Sequence, residues 1–284
     1  WLRVYTAWDG EFQEGWIPDN YFGRVVLPAI QGPALPLGMY KTLSRRLTLS
    51  GDLLPDLAYR IRGQWVGIDG QALAPSEVED VVFEHEPRAV VKLDDSNQGK
   101  GVQLIERGQD DLFALAGDFV VQRMMYQHEW LARFNPDNMT TIRITTVKPP
   151  GLPAEWRGGM IKLGFSGSEI LRSADSIRLA IMDAEGLLGE FGALHDWTRI
   201  TKHPETGVAW GGQKIPDFER ALDLCTRLHD GFPHATVIGW DVAMERSGDF
   251  SLLEWNTLHP GIVYSEANAG PLFRGLGWED LWKE

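Results

Sequence analysis

After Pro87 the chain becomes a succession of short apolar or alternating runs, at 89–93, 102–105, 119–124, 140–147, 159–165 and 177–182. This pattern limits the fold more than any other feature. The runs are rich in Val, Ile, Phe and Thr, the residues that suit a pleated and half-buried surface. Several are joined by links of hairpin length, so the sheet they build is expected to be antiparallel. Two further runs, 237–244 and 250–255, flank the turn Glu245-Arg246-Ser247-Gly248-Asp249.

Helical signals are fewer. Residues 40–49 carry Leu43 and Leu47 among basic residues at helical spacing and stop at Gly51-Asp52. Residues 65–68 and Asp69-Gly70 read as a strand and tight turn. A helix then opens at Pro75-Ser76, with Glu77, Glu79 and Asp80 at its positive end, and stops before Pro87. The strongest helix, 217–230, puts Phe218, Ala221, Leu222, Cys225 and Leu228 on one face and closes on Gly231 and Pro233. The first 37 residues, broken by Phe22-Gly23, Gly32-Pro33 and Leu35-Pro36, read as irregular with one short strand at 24–27. The class is α+β.

With 284 residues and 43% hydrophobic content, the chain can bury the core of one large domain or two interlocked smaller ones. Forty acidic residues outnumber 27 basic ones, giving a net charge of −13 with no basic run, which disfavours a nucleic-acid partner. The single Cys225 excludes an internal disulfide framework and reads as a buried thiol. No apolar run is long enough to cross a bilayer and no signal peptide opens the chain, so no membrane partner and a cytoplasmic location are expected.

If the last hairpin is symmetric about the Ser247-Gly248 bond, Asp241 faces Glu254, Trp240 faces Trp255 and Val242 faces Leu253. The apolar pairs then share the face opposite to Asp241, as a half-buried sheet requires. Asn256, two residues beyond Glu254, projects from the Asp241 face. Facing carboxylates about 5 Å apart at Cβ repel unless a cation or a proton lies between them. Oxygen ligands from Asp, Glu and Asn suit Mg²⁺. A solvated polar face fits the same pattern.

The run 88–93 and the run 102–105 enclose Asp94-Asp95-Ser96-Asn97-Gln98-Gly99-Lys100-Gly101. Glycines allow close backbone approach to a phosphate, and Lys92 falls on the face opposite to Val91 and Leu93. Walker loops and dinucleotide fingerprints lead from a strand into a helix, so this strand-loop-strand is neither. A plain surface hairpin remains the other reading. Further on, Arg143 shares a face with Thr141 and Thr145, and Lys162 with Met160 and Gly164. Each suits either a transferring phosphoryl group or an ordinary surface ion pair. His128-Glu129 lacks the second histidine of a zinc-protease helix.

Taken in order, VVKLDDSNQGKGVQLI, VVQRMMYQHEWLARFNPDNMTTIRITTV and IGWDVAMERSGDFSLLEWN resemble the ATP-grasp superfamily, in particular its sugar-transfer-associated branch, from about residue 40 onward. The resemblance implies an ATP-grasp fold of two α+β lobes with mainly antiparallel sheets and ATP between them. After the segment 1–39, residues 40–120 would form the lobe with the glycine-rich hairpin and 121–284 the lobe with the metal site. It implies Lys41 and Lys92 on the phosphates, under a loop containing Ser96, Gln98, Gly99, Lys100 and Gly101. Gln122, Arg123 and Met124 would form the adenine-contacting linker, where the family often has glutamate at the position of Gln122. Arg143, with Lys162, would hold the γ-phosphate or an acyl phosphate, and Asp241, Glu254 and Asn256 would ligate Mg²⁺.

The usual chemistry of that family activates a carboxylate by phosphoryl transfer and joins it to an amine, a task of positioning and charge neutralisation. Ser168, Arg172 and Arg178 are candidates for binding an anionic small-molecule or peptide substrate. A kinase acting on a small acceptor and a non-catalytic nucleotide-binding module are the alternatives. Asp241→Asn and Glu254→Gln are both expected to stop turnover and leave the fold intact.

Overall fold

The computed structural model describes residues 1–96, 99–172 and 175–283. Its strands form two wholly antiparallel sheets. The first contains β1 (Asp56–Ile61), β2 (Gln64–Gly67), β3 (Arg88–Leu93), β4 (Val102–Glu106) and β5 (Phe119–Arg123), in the order β2-β1-β5-β3-β4. The second contains β6 (Thr141–Val147), β7 (Glu155–Leu163), β8 (Ile177–Ile181), β9 (Leu188–Ala193), β10 (Arg199–Ile200), β11 (Val237–Met244) and β12 (Phe250–Asn256). Its order is β10-β9-β8-β7-β6-β11-β12. The α+β class and the antiparallel pairing are as the sequence pattern requires.

Alternation decides which face of each sheet is dry. In the first sheet Ala58, Ala89, Val91, Phe119 and Val121 pack with Val78 and Val82 of the helix Pro75–Val82. In the second, Ile142, Ile144, Ile161, Leu179, Trp240, Val242 and Trp255 pack with Phe218, Ala221 and Cys225 of the helix Phe218–Gly231. A 14-residue helix is marginal alone in water. Burying large apolar side chains, at roughly 1.5–3 kcal/mol each, is what holds this one on the sheet.

Strands β1, β9 and β10 were not foreseen. β9 reads LGEFGA, with two glycines that lower strand propensity, yet at Gly192 a Cβ would meet the Trp210 ring at 2.7 Å. Residues 1–39 also differ from expectation. The strand at 24–27 does not form; Phe22–Val26 is a wide helical turn running into the helix Leu27–Gln31. Phe22, Val26 and Leu27 lie on one helical face and bury against Val147, Val237 and Phe273. Among the described residues no helix is long and apolar enough to cross a membrane.

Candidate active site

The faces left without an apolar cover look at each other. In β3, Ala89 and Val91 belong to the core, so Val90 and Lys92 project into the space between the sheets. Gln122 of β5 pairs with Val90, and Val90 with Leu104 of β4, which makes one row across the first sheet. Opposite them stand Arg143, Lys162, Arg178, Asp241, Glu254 and Asn256 of the second sheet, around a cleft of about 1020 Å³. Seven Lys and Arg side chains line it (88, 92, 123, 143, 162, 178, 246) against four acids (137, 169, 241, 254). A chain of net charge −13 therefore concentrates its cations here, and an anionic ligand follows.

The hairpin of β11 and β12 pairs Asp241 with Glu254 and Trp240 with Trp255, as its symmetry implies. Val242, however, faces Leu252 rather than Leu253. Leu253 is the extra residue of a β-bulge, and the shift has a clear effect. Leu252 stays in the core while Leu253 and Glu254 both line the cleft. The Leu253 carbonyl accepts a hydrogen bond from Lys92 Nζ at 3.3 Å, which bridges the two sheets.

Arg143 is far more engaged than an isolated phosphate-binding residue. Its Nε and Nη2 form a bidentate pair with Asp241, the Nη2 contact at 2.7 Å, and its Nη1 donates to the carbonyls of His259 at 3.0 Å and Pro260 at 2.9 Å. Four of the guanidinium's five N–H groups are thus used. Lys162 Nζ lies 3.4 Å from Asp241 Oδ2. Burial alone would raise the Asp241 carboxyl, but Arg143 and Lys162 hold it well below the usual range. Burial lowers the ammonium groups of Lys41, Lys92 and Lys162, with Arg143 adding to the effect at Lys162. Glu254 opposes it at all three.

As a metal set the hairpin is complete but shared. Asp241 gives both oxygens to Arg143, whereas the Glu254 carboxyl has the Asn256 amide at 3.5 Å and lies against the Asp241 carboxyl. Among the described residues no three His, Cys, Asp or Glu side chains converge on a metal position. Two carboxylates and an amide oxygen still fit Mg²⁺, which usually takes few protein ligands and fills its shell with water and phosphate oxygens.

The glycine-rich hairpin is fastened to the helix Lys41–Leu47. Thr42 donates to Asp94 from its backbone N at 3.0 Å and its hydroxyl at 2.6 Å, and Lys41 Nζ reaches the Ser96 carbonyl at 2.8 Å. At Gly101 a Cβ would lie 2.2 Å from Ser96 Oγ, so only glycine fits. Gly99 lines the cleft and Lys100 is exposed; Gln98 lies outside the described residues.

The expected linker residues have different surroundings. Gln122 is buried and donates from Nε2 to Asp56 Oδ1 at 2.7 Å. Arg123 forms a bidentate pair with Glu245 at 2.7 and 2.8 Å. Met124 lines the cleft. Arg178, the cross-strand partner of Lys162, lines it too, as does Ser168, whose hydroxyl bonds the Ile170 carbonyl at 2.9 Å. Arg172 is exposed and outside the cleft lining. Sequence reasoning missed Asp56, Leu253, Glu245 and the His259-Pro260 carbonyls. Asp56 sits in a strand that was not recognised, and carbonyl contacts leave no trace in side-chain identity.

The fold and this site define a cation-lined cleft between two antiparallel sheets, and comparison with known proteins gives the chain a family. The chain belongs to the sugar-transfer associated ATP-grasp family, whose model matches residues 63–276. No curated protein sequence matches the chain. Among solved structures, D-cycloserine synthetase DcsG is similar at 15% identity and a TM-score of 0.47, over 88% of this chain and 72% of that one. The ATP-grasp ligase PsnB with a minimal precursor is similar at 12% identity and a TM-score of 0.45, over 89% and 63%. N5-carboxyaminoimidazole ribonucleotide synthetase from Thermotoga maritima is similar at 10% identity and a TM-score of 0.45, over 80% of this chain. The chain spans 44% of the length of that synthetase.

Proposed function

We propose that the protein is an ATP-dependent, Mg²⁺-requiring ligase that activates a carboxylate as an acyl phosphate and joins it to an amine. The observation that carries this reading is the convergence of Lys92, Arg143 and Lys162 on the Asp241–Glu254 pair, in a cation-lined cleft of a chain with a net charge of −13. The two sheets would act as the two lobes, with ATP between them. Lys41 and Lys92 would neutralise phosphate charge beneath the Ser96–Gly101 loop. Glu254 and Asn256, with the lone pairs of Asp241 not taken by Arg143, would hold Mg²⁺, which supplies charge neutralisation on the transferring phosphoryl group. Lys162 and the remaining Arg143 N–H would stabilise the acyl phosphate, and Arg143 would also fix Asp241 and the 259–260 backbone.

Arg178 and Ser168 are our candidates for the substrate carboxylate. The substrates would be small molecules or peptides, and the setting cytoplasmic. The test is ADP and phosphate release with a panel of carboxylates, with and without amines. Amine-dependent turnover with an amide product is expected. A stable phosphorylated product formed without amine would make the enzyme a kinase, and nucleotide binding without turnover on any substrate would make it a binding module.

A further inference from the structure

Gln122 Oε1 is buried and has no hydrogen-bond partner among the described residues, although its side chain lines the cleft. An unpaired buried acceptor is costly, and the neighbours explain why it persists. Asp56, directly across the strand pair from Gln122, accepts from Gln122 Nε2 at 2.7 Å and from the Tyr59 hydroxyl at 2.8 Å. Burial raises the Asp56 carboxyl and these two donors oppose that; with a donor on each of its oxygens, Asp56 holds the NH₂ of the amide toward itself and leaves Gln122 Oε1 on the cleft side. Val90 and Leu104, beside Gln122, and Leu253 on the second sheet make the surrounding cleft lining apolar, as a flat ring requires.

Resting on the nucleotide reading of the cleft, we propose that Asp56 is a positioning residue that selects the nucleotide base by fixing the Gln122 amide. The oxygen it presents accepts from the exocyclic amino group of adenine. Hypoxanthine and guanine carry an oxygen at that position, which would face Gln122 Oε1 acceptor to acceptor. Asp56 does not line the cleft, so its influence passes through Gln122.

The test is equilibrium binding of ATP and of inosine triphosphate, with Mg²⁺ and without acceptor substrates. Wild type should bind ATP about tenfold or more tighter, the scale of one unpaired buried acceptor. Asp56→Asn, whose amide can donate or accept, frees Gln122 to turn, so the ratio should fall toward one as inosine triphosphate binding improves. Gln122→Met, which offers neither donor nor acceptor, should also lower the ratio and serves if Asp56→Asn fails to fold. A wild-type ratio near one, or folded variants that keep the wild-type ratio, overturns the proposal. If wild type binds neither nucleotide, the nucleotide reading fails first and takes this assignment with it.

Discussion

At the scale of single residues, the two hairpin carboxylates look equivalent in sequence and behave differently in the fold. Asp241 is buried and faces Arg143 with both oxygens. In Asp241→Asn an NH₂ would point at a guanidinium N–H and leave the Arg143 charge uncompensated, a loss of about 3–5 kcal/mol by analogy with other broken buried pairs. Asp241→Asn should therefore weaken the fold as well as the site. Glu254→Gln breaks no bidentate pair, although it removes a charge that supports the ammonium groups of Lys41, Lys92 and Lys162. Thermal unfolding should show Asp241→Asn well below wild type and Glu254→Gln between the two, with Mg²⁺-dependent ATP turnover lost in both. Equal melting temperatures for the two variants would contradict the role given to Arg143.

At the scale of elements, the bulge in β12 lets Leu252 enter the core while Leu253 and Glu254 both reach the cleft. Deleting Leu253 would restore a regular ladder with Leu252 still opposite Val242 and Glu254 still opposite Asp241, and would take away the carbonyl that accepts from Lys92 Nζ. We predict that the deletion, which removes the Lys92 contact between the sheets, weakens nucleotide binding measured by titration calorimetry more than Leu253→Ala, which keeps that carbonyl. Retained binding in the deletion would mean the bulge is incidental.

The helix Phe218–Gly231 carries a second elemental device. His229 Nε2 donates to the Ala235 carbonyl at 2.9 Å, so its Nδ1 accepts from the Thr146 hydroxyl at 2.7 Å, and Trp240 Nε1 donates to that hydroxyl at 2.8 Å. Burial lowers His229 from 6.5 to about 4. The unfolded chain therefore binds this proton at a higher pH than the folded one, and stability falls as pH drops from 6.5 toward 4. The loss attributable to His229 is about 2 kcal/mol between pH 7 and pH 5. Urea midpoints at the two pH values should differ less in His229→Gln than in wild type; an identical pH dependence would exclude His229 as the cause.

At the scale of the whole molecule, residues before the family-matched region are part of the second sheet's support. Glu266, in the helix Val263–Ala269, accepts from the backbone N–H of Ile17 at 3.2 Å and of Leu272 at 3.0 Å, and its own carbonyl accepts from Trp16 Nε1 at 2.8 Å. The N-terminal helix packs against the same helix, which in turn rests on β7 and β8 beside Lys162 and Arg178. Glu266→Gln would turn an NH₂ toward one of those backbone donors, at about 1–3 kcal/mol. Limited proteolysis should then cut within residues 1–39 faster than in wild type. Unchanged cleavage would show that the buried Glu266 carboxyl, which burial pushes up to about 8, does not hold that segment.

The sequence alone determined what depends on local period: strands from two-residue alternation, the helix read at 217–230 from its apolar face, and the pairing of Asp241 with Glu254 from hairpin symmetry. Because period-two alternation also fixes the face, Lys92, Arg143, Lys162 and Asp241 were assigned to a polar surface before any contact was known. Only the tertiary structure decided which of these side chains satisfy one another. Arg143 lies 98 residues from Asp241 and Gln122 lies 66 from Asp56, and no local pattern reports which distant strands pair side by side within a sheet. The Leu253 bulge belongs with them, since an extra residue in a ladder changes nothing in composition and everything in direction.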